Sequence, residues 1–140
     1  MDQPEPFTIV VADDDFDDRE LLKDLFLHNE RFELIGCLTS GIEVFDEISR
    51  KKNIPDILLI DMYMPFFSGI DVVNALQELE AAPAMVKFVI STAINTDEQE
   101  RHLDNPSVIF LKKPVSIEEM KELPNRILDT MMQRNSLRVY

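Results

Sequence analysis

Ile57-Leu58-Leu59-Ile60-Asp61-Met62-Tyr63-Met64-Pro65 sets four consecutive large apolar residues against an abrupt carboxylate. An apolar run of strand length that does not alternate with polar residues marks a strand buried on both faces. Asp61 is therefore expected at the carboxyl end of a central parallel strand, the edge where open α/β sheets form their ligand crevices. A loop closing on Pro65 and Gly69 follows. A lone Asp after a strand often does no more than cap the next helix, so the other strand ends decide its meaning.

Outward from that strand, Phe7 to Ala12 is a β-branched apolar run ending in Asp13-Asp14-Asp15. From Asp15 to about Leu27 the apolar positions Leu21, Leu22, Leu25 and Phe26 recur at helical spacing, with Asp17 and Asp18 in the first turn, where carboxylates favour the helix dipole. Phe32 to Leu38 reads as a second strand. Ser40-Gly41 then opens a helix carrying Ile42, Val44, Phe45 and Ile48. Beyond the central strand, a helix from about Ser68 to Leu79 turns Ile70, Val73, Leu76 and Leu79 inward, closed around Pro83. Val86 to Ile90 is strand four, ending in Ser91-Thr92-Ala93. Thr96 to Leu103 reads as a short polar helix, and Val108 to Leu111 as strand five, followed by Lys112-Lys113-Pro114. The last helix starts at Ser116 with Glu119 as a capping box, and Ile117, Met120, Ile127 and Met131 mark its buried stripe. Pro124 inside it removes an interior hydrogen bond at a cost of about 3 kcal/mol, which predicts a kink between Met120 and Pro124. Alternating βα units fold into a parallel sheet with helices on both faces, here a doubly wound five-stranded α/β domain.

The chain has 140 residues, enough for one core. An apolar content of 45% excludes global disorder, and no apolar run approaches the roughly 20 residues that span a bilayer. Met1 to Pro6 reads as a frayed tail, not a signal peptide. Cys37 is the single cysteine, so no intrachain disulfide is possible and a cytoplasmic location is expected. A net charge of −13 argues against nucleic acid as a direct ligand.

Four strand ends now carry polar residues: Asp13 and Asp14, Asp61, Ser91 and Lys113. A doubly wound sheet brings these ends to one edge, while strand two, ending in Leu38-Thr39, suits the sheet's outer margin. Converging carboxylates repel one another, and a hard cation that takes oxygen ligands, Mg²⁺ above all, resolves the repulsion. A carboxylate can attack a phosphoryl group and hold it as an acyl phosphate. Phosphoryl transfer needs mainly charge neutralisation and positioning, which the metal and Lys113 would supply, with the Ser91 hydroxyl donating to a phosphoryl oxygen.

Taken together, Asp13-Asp14, Asp61 with Met64-Pro65 and Gly69, Ser91 thirty residues beyond Asp61, and Lys113-Pro114 fifty-two beyond it resemble a receiver domain of the two-component response-regulator family. The resemblance implies a flavodoxin-like strand order 2-1-3-4-5 and a receiver domain over 7–132, between tails at 1–6 and 133–140. It also implies Asp61 as phosphoacceptor and Asp13 and Asp14 as the acidic pair holding Mg²⁺, with the Tyr63 carbonyl completing the protein ligands. Lys113 becomes the charge partner of the phosphoryl group, Ser91 the switch hydroxyl, Phe110 the rotating aromatic, and Tyr63 and Ala93 the positions that tune phosphoryl lifetime. The implied donor is a phosphohistidine on a sensor histidine kinase or a histidine phosphotransfer protein. With the chain ending at Tyr140, the expectation is a stand-alone switch, catalysing only its own phosphorylation and dephosphorylation. Its output is then contact with a downstream protein or with a second copy of itself.

Plainer readings stand beside these. Asp15 serves as N-cap of helix one rather than as a third metal acid, and Asp17 and Asp18 as dipole and solubility charges. Thr92 competes with Ser91 but is off by one in spacing. Lys112 is a solvated neighbour of Lys113, and His28 and His102 lie outside any cluster. A Mg²⁺-dependent aspartyl phosphatase of the dehalogenase type would use Asp13-Asp14-Asp15 as Asp-x-Asp, leaving the 61, 91 and 113 spacing unexplained. A phosphorylation-independent interaction module is the other alternative.

Overall fold

The unbroken apolar run at 57–60 divides its side chains between two cores. The computed structural model describes residues 4–52, 54–92 and 105–138. In chain order these form β1 (Phe7–Ala12), α1 (Phe16–Leu27), β2 (Phe32–Leu38), α2 (Gly41–Ser49), β3 (Ile57–Asp61), α3 (Gly69–Glu78), β4 (Val86–Ser91), β5 (Val108–Lys112) and α4 (Ile117–Arg138). All paired strands are parallel, in the order β2-β1-β3-β4-β5. This is the doubly wound, flavodoxin-like arrangement with β2 at one margin. The helix expected over 96–103, with His102, and Ala93 lie outside the described residues.

Leu58 and Ile60 face α2 and α3, joining Val10, Ala12 and Val89 against Val44, Ile48, Val72, Val73 and Leu76. Ile57 and Leu59 face the other way, where Ile9, Val11, Phe88 and Ile90 meet Leu22 and Phe26 of α1 and Leu123, Ile127 and Met131 of α4. Every residue of β3 is buried, because strand side chains alternate while both faces are covered. Lys87 of β4 is buried among these apolar residues: only 2% exposed, its ammonium donates to the Met85 carbonyl and the Ser107 hydroxyl. Burial, with the charge of Arg134, holds its pKa below the usual lysine range.

Helix phase explains where the sequence reading of burial fails. Leu79 is exposed because α3 ends at Glu78 and Leu79 is its C-cap, and Ile117 is exposed at the first residue of α4. Leu21 and Ile42 also face outward, beside the true inward positions Leu22 and Val44. Pro124, where a kink is expected, is buried inside a helix that runs from Ile117 to Arg138. The packing of Leu123, Ile127 and Met131 on the sheet holds the helix on both sides of the missing N–H. At its start, Ser116 accepts from the Glu119 N–H, while the Glu119 carboxylate reaches back to the Val115 N–H. The predicted box thus closes one residue earlier than the ideal pattern.

Candidate phosphoryl-transfer site

The parallel register carries three acids to one edge. Asp61 is the last residue of β3 and pairs with Ile90 of β4; the Met62 N–H then donates to the Ile90 carbonyl at 2.7 Å. Asp13 follows β1 directly, its N–H donating to the Leu38 carbonyl of β2 at 3.1 Å. Carboxylate oxygens of Asp13, Asp14 and Asp61 lie within 4.8 Å of one another. Asp13 and Asp61 are buried, whereas Asp14 is exposed. Ser91 is the buried last residue of β4, and its carbonyl accepts the Lys113 N–H at 2.8 Å, bringing Lys113 in beside the acids. Thr92, one residue on, is exposed.

The Lys113 ammonium stands 3.2 Å from Asp61 Oδ2, 3.3 Å from Asp13 Oδ2 and 2.7 Å from Asp18 Oδ2. The remaining oxygens are held by main-chain donors: the Tyr63 N–H to Asp61 Oδ1 at 3.1 Å and the Asp15 N–H to Asp13 Oδ1 at 3.0 Å. Tyr63 is half exposed at the rim. Phe110 lies half-buried in β5 and packs against the core on the α2 and α3 side. Lys112 is exposed, and His28 is a surface residue paired with Asp24 one turn before it.

Two of the acids in the β1–α1 segment act differently from their sequence reading, and one arginine there has a role that the sequence reading did not assign. Asp15 occupies the N-cap position of α1 but its side chain makes no capping hydrogen bond. Asp18, read as a solubility charge, makes the shortest contact to Lys113. Arg19 donates to the carbonyls of Asp13 (2.9 Å) and Asp14 (3.4 Å) and lies over the Phe16 ring, tying down the loop that presents the acidic pair. The only sequence signal for either residue was its place on the first turn after Asp13-Asp14.

Burial pushes the Asp13 carboxyl up to about 6, with the Asp61 charge adding to the rise and the Asp15 N–H and Lys113 opposing it. Burial alone would lower the Lys113 pKa, but its bond to Asp18 and the charges of Asp61 and Asp13 raise it above the usual lysine range. The folded protein thus binds a proton on Asp13 more tightly than the unfolded chain does. That difference stabilises the fold near pH 4 and is lost as pH rises through about 6. Without divalent cations, the Asp13 contribution to stability should fall between pH 4.5 and 7 by on the order of 2 kcal/mol. Urea midpoints at pH 4.5 and 7 measure it, and Asp13→Asn should flatten the slope; an unchanged slope in the variant refutes the assignment.

No described helix is long and apolar enough to cross a membrane. The chain is 28% identical over 126 residues to protein-glutamate methylesterase/protein-glutamine glutaminase 5 of Myxococcus xanthus, covering 88% of this chain and 35% of that protein. It is 24% identical over 131 residues to the transcriptional regulatory protein CitT of Halalkalibacterium halodurans, covering 94% of this chain and 54% of that one. It therefore spans about a third to a half of the length of these relatives. In fold it matches the response regulator domain of Thermotoga maritima CheB, with a TM-score of 0.73 at 21% identity over 93% of this chain and 97% of that domain. The family described as response regulator receiver domain matches residues 9–125, a span that takes in Asp13, Asp14, Asp61, Ser91 and Lys113. With the strand order and this match in agreement, the chain belongs to the response regulator receiver domain family.

Proposed function

We propose that the protein is a signalling switch that accepts a phosphoryl group on Asp61 from a phosphohistidine of a sensor histidine kinase or a histidine phosphotransfer protein. The observation that carries this reading is the Asp61 carboxylate at the end of β3, with an ammonium 3.2 Å away and two further carboxylates in reach of one cation. These residues fit Mg²⁺: the donors are all hard oxygens, and the repulsion that helps raise the Asp13 pKa is what a divalent cation offsets. Asp13, Asp14 and Asp61 would hold it, with the Tyr63 carbonyl as a fourth protein ligand. When bound, it supplies neutralisation of charge on the phosphoryl oxygens.

An Asp61 oxygen attacks phosphorus as the P–N bond to the donor imidazole breaks. The leaving nitrogen keeps the bonding pair and takes a proton from water, and Asp61 is left as an acyl phosphate. Lys113 holds positive charge beside the transferring group. The Ser91 hydroxyl then donates to a phosphoryl oxygen, and Phe110 changes packing in response. The new charge and hydrogen bonds bias a two-state element, and the output is contact with a downstream protein or a second copy. Hydrolysis of the acyl phosphate resets Asp61.

Intact mass after incubation with acetyl phosphate and Mg²⁺ tests this reading. One phosphoryl group should be gained, and none after chelation. No gain by the folded protein, from acetyl phosphate or from a phosphohistidine donor, would favour a phosphorylation-independent module. Tyr63, half exposed at the rim, shields the acyl phosphate from water in this scheme. Tyr63→Ala should therefore shorten the phosphoryl half-life several-fold, on the order of 1 kcal/mol in barrier; a longer half-life sinks the shielding role.

A further inference from the structure

The three contacts of Lys113 are not equivalent. Its ion pair with Asp18 is the shortest of the three, at 2.7 Å, while Asp61 and Asp13 accept hydrogen bonds from it at 3.2 and 3.3 Å. Asp18 is also the one partner outside the Asp13, Asp14 and Asp61 cluster. A cation draws on the oxygens of Asp13 and Asp61, and phosphorylation consumes one oxygen of Asp61, so two of the ammonium's three acceptors change during the cycle. Asp18 does not. It sits on the first turn of α1, where Arg19 fastens the adjoining loop, and its side chain is 29% exposed.

We propose that Asp18 is the positioning residue of the site, anchoring the Lys113 ammonium over Asp61 while the cation and the phosphoryl group come and go. This rests on Asp61 being the phosphoacceptor. A lysine side chain has four rotatable bonds and loses much freedom when fixed. With the ammonium held against Asp18 by this ion pair, it is already placed when the phosphoryl group arrives, and its N–H groups point to Asp61 and Asp13, where the phosphoryl oxygens come in. Without that anchor, part of the transfer barrier goes into ordering Lys113.

The test compares Asp18→Asn, Asp18→Glu and Asp17→Asn with the wild type, using acetyl phosphate at saturating Mg²⁺. Asp17 is the exposed neighbour on the same helical turn and makes the same kind of dipole contribution. Asp18→Asn should lower the maximal phosphorylation rate about tenfold, with little change in the donor concentration at half-saturation. Asp18→Glu should recover most of the rate, and Asp17→Asn should match the wild type. The ¹H–¹⁵N resonance of the Lys113 ammonium, visible only when its protons are held from exchange, reports the anchor without any phosphoryl transfer. With Mg²⁺ present it should persist in the wild type and Asp17→Asn and vanish in Asp18→Asn. Equal effects of Asp17→Asn and Asp18→Asn on the rate, or a resonance that survives in Asp18→Asn, overturn the proposal. Should the wild type take up no phosphoryl group, the functional reading falls, and the resonance alone then decides the anchor.

Discussion

Asp61→Asn should gain no phosphoryl group under conditions in which the wild type gains one, a loss of at least about 10³-fold in rate. The substitution keeps the size of the side chain and an oxygen able to accept the Tyr63 N–H, so the loop after β3 has no reason to move. What it removes is the anionic nucleophile, together with one of the three carboxylates in reach of a cation. Stability should change little, since the attraction to Lys113 that is lost is set against the repulsion with Asp13 that is relieved. A folded variant without uptake, measured by intact mass and circular dichroism together, is the expected result. A folded variant that still gains the group would move the acceptor elsewhere, with Asp13 the first residue to examine.

Gly69→Ala should destabilise the fold by about 3 kcal/mol, the upper part of the usual range for overpacking, and displace Asp61 in the fraction that folds. The reason is close approach, not backbone conformation. A Cβ on Gly69 would lie 2.4 Å from the Asp61 carbonyl oxygen and 3.1 Å from the Met62 Cα, main-chain atoms at the end of a buried central strand. The Gly69 N–H donates to the Met62 carbonyl at 2.9 Å, which pins the start of α3 against that strand end. The added methyl can be accommodated only by breaking this contact or shifting Asp61. Gly36→Ala is the matched control: its Cβ would meet a Val10 methyl at 3.3 Å, a side-chain atom that can yield. Its cost should stay below about 1 kcal/mol. Equal urea midpoints for the two variants would show that the loop after β3 gives way freely.

Much of this architecture was readable from local pattern. β3 declared itself because a strand covered on both faces needs no polar alternation, and its five residues are all buried. The polar strand ends stood out because each interrupts an apolar run, and alternation of strand and helix places those ends on one edge. Pattern failed where the outcome depended on what an element touches. Leu79 and Ile117 fit the apolar spacing of their helices yet are exposed, since a helix terminus turns away from the sheet that its interior packs on. Asp15 is at the N-cap and does not cap, because no sequence rule says which way a flanking carboxylate turns.

By itself, the sequence determined the order of the βα units, the two-sided burial of the central strand and the chemical types at its edge, because these follow from hydrophobic period and from where the period breaks. Only the tertiary structure decided which of the five acids between Asp13 and Asp18 meet Lys113. Asp13 and Asp18 do so through side chains that converge from β1 and α1, while the contacts from the acids at 14, 15 and 17 to that ammonium are absent among the described ion pairs. The physical reason is distance along the chain. Residues 18 and 113 are brought together by the register of β1, β3, β4 and β5 and by the phase of α1, and a charge in a sequence carries no record of the partner that such a sheet will set beside it.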